Sequence, residues 1–326
     1  MVKESTKNFW RMQGEGARGI LRLLNMIHGY IYYTLYDHYV LGAMVLLRFL
    51  AHKLPKFWLT RIAYTYLYER YHCKVVTYEN ARRLVTIEEE VIVPEEESMK
   101  IIPYEIANKL IFNHKDELAI VDCPCRLEKK TAGRKYCEPV HTCIFLGKVG
   151  VDFVTTHMPR MHGRRVAKEE VLKLLEEQQK RGVAFTLWFK DATGYRGGVL
   201  CCCCACCCAG VEAEKMTRKL PGMKPLRLTA PSGYSAVVDV SKCRACGTCV
   251  AVCPYDAREV VDIDGEKKLR LYTELCMGCG ACVSVCPQQA ASLRVDPSKG
   301  KVLDIAAIME MAKKQPRMSN QEEQTE

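Results

Sequence analysis

The 326-residue chain lacks an apolar run long enough to cross a bilayer: its longest, Val40 to Leu47, ends at Arg48, far short of the roughly 20 residues a spanning helix needs. Any membrane contact is therefore expected to be peripheral. The start, MVKESTKNFWRMQGEGARG, has neither the compact apolar segment nor the small-residue cleavage site of a secretory signal. No P-loop, nucleotide-binding glycine fingerprint or hydrolase motif occurs, so no nucleotide or flavin site of its own is expected. Lysine and arginine are spread without a long basic tract or a DNA- or RNA-binding motif, which excludes nucleic acid as the expected partner despite a formal charge of +10.

Cysteine is what the chain has in excess, with twenty residues. Without a secretory signal, that usage argues against a disulfide scaffold and for metal binding or redox chemistry in a reducing compartment. The expected setting is the cytoplasm of a microbe, an anaerobe. Between Cys243 and Pro254 the sequence reads CRACGTCVAVCP, and between Cys276 and Pro287 CMGCGACVSVCP. Both are C-x2-C-x2-C-x3-C-P, the spacing in which three thiolates wrap one cubane and the fourth reaches the other. One 4Fe-4S cluster is thus assigned Cys243, Cys246, Cys249 and Cys286, and a second Cys276, Cys279, Cys282 and Cys253. Structural zinc, the alternative, uses four cysteines as two pairs and leaves the third of each triplet unexplained. Two such clusters, each roughly −2 when oxidised, would lower the formal charge to about +6.

Residues 232 to 297 resemble the bacterial-type 2x(4Fe-4S) ferredoxin family. Flanking strands YSAVVDV, REVVDIDGEKKLRLY with an Asp264-Gly265 turn, and AASLRVD agree with it. From about Tyr71 to Gly210, the segments YHCKVVTYENARRLVT, IPYEIANKLI, CPCR and RGVAFTLWFKDA and the run CCCCACCC are similar to a wider group of ferredoxin-domain proteins of anaerobes. That group's run is closer to C-N-C-C-x-C-C-C-G. Cys202 stands here for the Asn, so it is left out of the expected ligands. The resemblance implies redox function without a substrate.

Cys123, Cys125, Cys137 and Cys143 form a second cysteine group, enough for one metal centre. With Cys201, Cys203, Cys204, Cys206, Cys207 and Cys208 of the run they suffice for a third Fe-S cluster; zinc and unliganded redox thiols are the alternatives. The first four are the expected ligands, converging on one site with the run close beside it. In the run, the pairs Cys201/Cys204, Cys203/Cys206 and Cys204/Cys207 have a chelating spacing. Arg126 reads either as a countercharge to a cluster or as an ordinary surface residue. His141 reads as a structural histidine.

The expected fold class is α+β. Residues 1–80 form a helical, aromatic-rich docking region, 81–210 a cysteine-rich α/β domain, 211–232 a linker, 233–300 the dicluster domain and 301–326 a helix and disordered tail. Tyr32, Tyr36 and Tyr39, and again Tyr64, Tyr68 and Tyr71, recur at one helical face. They read as core or, with Arg48, Lys53, Lys56 and Arg61 around Phe57 and Trp58, as a docking surface for headgroups or a partner. The acidic stretch LVTIEEEVIVPEEES reads as extended, and a helix is expected from Pro103. The expected function is electron transfer, alone or as a subunit serving redox partners. The alternatives are a catalytic oxidoreductase acting at an open-site Fe-S centre and an iron- or oxygen-sensing protein.

Overall fold

A computed structural model describes residues 2–14, 19–87, 91–93, 95–102, 111–112, 117–190 and 197–314. Its centre is a seven-stranded sheet. From one edge the strands are Arg164–Arg165, Leu118–Asp122, His141–Leu146, Gly197–Cys203, Ala184–Lys190, Tyr71–Val76 and Thr229–Ala230. All pairings are antiparallel except the last, between Tyr71–Val76 and Thr229–Ala230. The strands are rich in Val, Ile, Phe and Cys and alternate between two buried faces, as a sheet covered on both sides requires.

Val76, Ile120, Ile144, Phe185, Leu187 and Leu200 point to one face. There they meet Leu84 and Val85 of the helix Tyr78–Val85, Val171 and Leu175 of Lys168–Lys180, and Ile305 and Ile308 of Ile305–Lys314. Cys73, Val75, Ala119, Val121, Phe145 and Val199 point to the other face, against Phe9, Tyr32, Tyr33 and Tyr36 of the N-terminal helices and Val151, Phe153 and Val154 of Lys148–His157.

The N-terminal helices are Glu4–Gly14, Gly19–Thr34, Tyr36–Lys53 and Trp58–Arg70. Their inward tyrosines are core: Tyr32, Tyr36 and Tyr64 are buried, and Tyr64 donates its hydroxyl hydrogen to the Leu47 carbonyl. Tyr71, expected on the same helical face as Tyr64, instead opens the first sheet strand, so the helical region ends at Arg70. Arg48 is no surface residue. It is buried and binds Glu128 at 2.6 Å and Glu212 at 2.7 Å, while Lys129 binds Glu212 at 2.6 Å. The outward side of these helices carries Ile20, Leu24, Phe49, Phe57, Trp58 and Ile62, all exposed, with Lys53, Lys56 and Arg61 among them. Among the described residues no helix is long and apolar enough to cross a membrane.

Two expectations need correction. The acidic stretch is not extended throughout, because Glu95–Ile101 is a helix; acids at its start suit the positive end of the helix dipole, and Ile101 is buried. The span 211–232 is more than a connection: Ala209–Thr217 is a helix and Thr229–Ala230 an edge strand of the sheet. Buried Glu214 accepts hydrogen bonds from the Leu228 and Thr229 backbone N–H groups, which folds the intervening loop back on the helix. The expected helix at Pro103 and the tail beyond Lys314 lie outside the described residues.

The C-terminal unit pairs Tyr234–Val238 with Ala291–Val295 and Arg258–Ile263 with Glu266–Leu271, both antiparallel. Asp264 and Gly265 both have positive φ, as the expected two-residue hairpin turn demands. Gly278 has positive φ, and a Cβ there would lie 2.1 Å from the Tyr234 carbonyl oxygen.

Candidate metal centres

In the C-terminal unit, Gly247 and Gly280 turn the chain at positive φ into two short helices, Thr248–Ala251 and Ala281–Ser284. Each helix begins inside one cysteine triplet and carries the fourth cysteine away from it. Cys243, Cys246, Cys249 and Cys286 line one cavity of about 20 Å³. Cys253, Cys276, Cys279 and Cys282 line another of the same size. The fourth cysteine of each motif thus faces the triplet of the other. Arg258 is buried and lines both cavities, and its terminal nitrogens have no hydrogen-bond partner among the described residues. Sequence reading missed this arginine, which no motif marks.

The central cysteines behave differently from the expectation. Cys123, Cys125, Cys137 and Cys143 do not form one site. The cause is the cysteine run, whose first three members lie within the strand Gly197–Cys203 rather than in a loop after a strand. Successive strand residues point to opposite faces, so Cys201 and Cys203 face one side of the sheet and Cys202 the other.

On one face Cys137, Cys204, Cys206 and Cys207 gather, with all four sulfurs within 4.8 Å of one another. The Cys137 sulfur lies 2.7 Å from that of Cys206, and the Cys137 backbone N–H donates to the Cys207 sulfur. A tetrahedral ion with metal–sulfur bonds of about 2.3 Å separates its thiolates by about 3.8 Å, so this set has the size of a site for a single ion. Thiol donation from Cys137 and Cys207 holds Cys204 well below the usual thiol range. Of the three pairs with chelating spacing, only Cys204/Cys207 shares this site.

On the opposite face Cys123, Cys125, Cys143, Cys201, Cys203 and Cys208 line a cavity of about 110 Å³ walled by Tyr32, Tyr36, Leu47 and Trp188, and Arg126 with Cys202, Cys204 and Cys207 reaches its far wall. Cys143 sits directly across from Cys201 in the sheet, their sulfurs 3.9 Å apart. Cys203 and Cys208 are 3.3 Å apart. Cys123 occupies the N-cap of Pro124–Thr131, where Pro124 suits the first helical position, and Cys208 the N-cap of Ala209–Thr217. The Arg48 ion network ties these two helices together. Hydrogen bonding from Cys125 and then Cys143 holds the Cys123 thiol well below its usual range.

Between the two faces lies Arg126, fully buried. It donates to the carbonyls of Pro139 and Cys202 and to the Gln178 side chain; no carboxylate reaches it among the described residues, and its Nε has no partner there. The surface reading of Arg126 is therefore wrong. His141 has its Nδ1 2.8 Å from Asp122, while its buried Nε2 has no hydrogen-bond partner among the described residues. Cys73, which sequence reading passed over, is buried in the same apolar cluster as Cys203, Cys208, Tyr255, Cys253 and Cys279.

The C-terminal unit is docked on this region. Arg218 donates to the Tyr255 carbonyl, Lys215 pairs with Asp256 at 2.6 Å, and the Ser232 backbone N–H donates to the Met277 carbonyl. Residues 236–293 match the family of 4Fe-4S dicluster domains. No curated protein and no solved structure matches the chain.

Proposed function

We propose that this protein is an iron-sulfur electron carrier or the electron-transfer subunit of a redox complex, with two 4Fe-4S clusters in its C-terminal unit. The observation that carries this reading is the crossed arrangement of the two cavities, each lined by three cysteines of one motif and the last of the other. All eight donors are thiols, the ligand chemistry of such clusters. When bound, the clusters would exchange single electrons with a partner. The protein's part is to hold the thiolates, balance their charge with Arg258 and set their access to solvent. Cys137, Cys204, Cys206 and Cys207 would hold one zinc or iron ion.

The docking of the unit supports internal communication. Tyr255 is buried in the apolar cluster that contains Cys253 and Cys279 on one side and Cys203 and Cys208 on the other. The exposed apolar side of the N-terminal helices, with basic residues and Trp58, suits peripheral contact with anionic headgroups.

The test is Cys253→Ser in protein prepared without oxygen, followed by EPR and by iron and sulfide quantification. The substitution should perturb chiefly the cluster held by Cys276, Cys279 and Cys282. Loss confined to the signal of the Cys243, Cys246 and Cys249 triplet would refute the crossed assignment.

A further inference from the structure

We infer that the cavity of Cys123, Cys125, Cys143, Cys201, Cys203 and Cys208 is a further site for a polynuclear iron-sulfur cluster, abutting the single-ion site, whose Cys204 and Cys207 reach the cavity wall.

The donor set is all sulfur. No histidine or carboxylate lines the cavity. Such a set selects soft, thiophilic metals: zinc, copper(I) or iron-sulfur clusters. Spacing separates these. A single tetrahedral ion draws its thiolates together, as the spacing of Cys137, Cys204, Cys206 and Cys207 would allow. The six cavity thiols are instead linked as an open chain of contacts, Cys201 to Cys143 to Cys123 to Cys125 to Cys208 to Cys203, and no three of them lie within 4.8 Å of one another. Neighbours in the chain are in contact, but the set as a whole is strung along the cavity wall and not gathered about one point, which fits a centre of several irons bridged by sulfide better than one ion. Space is present: the same measure gives about 110 Å³ here and about 20 Å³ in each cavity of the dicluster unit.

Charge points the same way. Arg126 carries a permanent positive charge into the interior without a carboxylate among the described residues. The groups that can balance it are the sulfurs on its two sides, Cys123 toward the cavity and Cys204 and Cys137 toward the single-ion site. Two cavity cysteines also stand at helix N-termini, where the backbone favours negative charge. A neutral thiol lining would leave both features uncompensated. A thiolate-held cluster uses them.

The inference rests on the proposed dicluster unit only for a baseline count of about eight sulfides per chain. The experiment measures iron, zinc and acid-labile sulfide in the full-length chain purified without oxygen, alongside Cys143→Ser/Cys201→Ser and Cys204→Ser/Cys207→Ser. Wild type should exceed the baseline by about four sulfides. The first double variant should lose that excess with its iron, retaining the EPR signals of the dicluster unit. The second should lose one metal ion and no sulfide. A wild-type count at the baseline overturns the inference without recourse to any variant. An excess that survives Cys143→Ser/Cys201→Ser, or that leaves with Cys204→Ser/Cys207→Ser, overturns it equally. Failure of the crossed assignment would appear separately, in the response to Cys253→Ser.

Discussion

Arg126 and Arg258 stand in the same relation to the sulfurs around them: each is buried between two groups of cysteines, and neither has a carboxylate partner among the described residues. Burial works against the charge of both, and neighbouring cysteines outweigh it. Two pairs of sulfur sites thus share one internal cation each.

Sharing has a measurable consequence at Arg258. Arg258→Met removes a positive charge that both cavities of the C-terminal unit see, so reduction of either proposed cluster should become harder. Both potentials should fall, by on the order of 60 mV, the one-electron equivalent of about 1.4 kcal/mol. Potentiometric titration monitored by EPR reads the two signals separately. A shift in one alone would contradict the shared position.

The Arg48 network supplies a stability prediction. Arg48→Met leaves Glu128 buried beside Lys129, with their oxygen and nitrogen 3.9 Å apart, and removes the guanidinium that bridges the helices beginning at Pro124 and Ala209, leaving only the Lys129–Glu212 pair between them. Breaking a buried pair from one side costs about 3–5 kcal/mol. Denaturant unfolding should show that loss, with Arg48→Lys recovering part of it. An unchanged midpoint would mean that solvent reaches Glu128.

Lys74 provides a pH dependence. It is buried, donates to the Lys301 carbonyl at 2.8 Å, and burial lowers its pKa from 10.5 to about 7. Between those values the unfolded chain holds a proton that the folded chain does not, so this residue makes stability rise with pH across the window. Below pH 7 its full cost is present. Lys74→Met should therefore raise Tm at pH 6 and lose its advantage toward pH 10. The gain is a few kcal/mol at most, at about 1.4 kcal/mol per pKa unit less the ~1 kcal/mol of the lost hydrogen bond. Thermal unfolding at the two pH values checks it; a benefit growing with pH would reverse the sign.

Membrane contact is tested on the surface rather than by truncation, because deleting residues 1–70 would also remove Tyr32, Tyr36 and Leu47 from the cavity wall. Phe57→Ser/Trp58→Ser changes two exposed side chains. Sedimentation with anionic vesicles should carry down the wild type and much less of the variant, and raised salt should weaken the attachment. Equal recovery of both proteins would leave this surface to a protein partner.

What could be read from the sequence was what is local in it. The motifs from Cys243 to Pro254 and from Cys276 to Pro287 carry in their spacing which four cysteines line each cavity, and the Asp264-Gly265 turn is fixed by two residues. The central cysteines are not local. Cys137 meets Cys207 across 70 positions, and which run members face it depends on the strand phase of Gly197–Cys203. That phase had a signal, Gly197-Gly198 followed by an unbroken apolar stretch, but thiols counted as ligands obscured thiols acting as small strand residues. Arg48 was misread for the same reason, since its partners lie 80 and 164 residues away.

The pairing of Cys143 with Cys201 acts as an address label. A strand slipped by one residue would present Cys202 where Cys201 and Cys203 belong, and would send those two to the single-ion side. The three cysteines of the strand would then face the wrong sides without any change of sequence. The sorting of thiols between the two faces therefore depends on the backbone hydrogen bonds of Gly197–Cys203 to its two neighbours, His141–Leu146 and Ala184–Lys190.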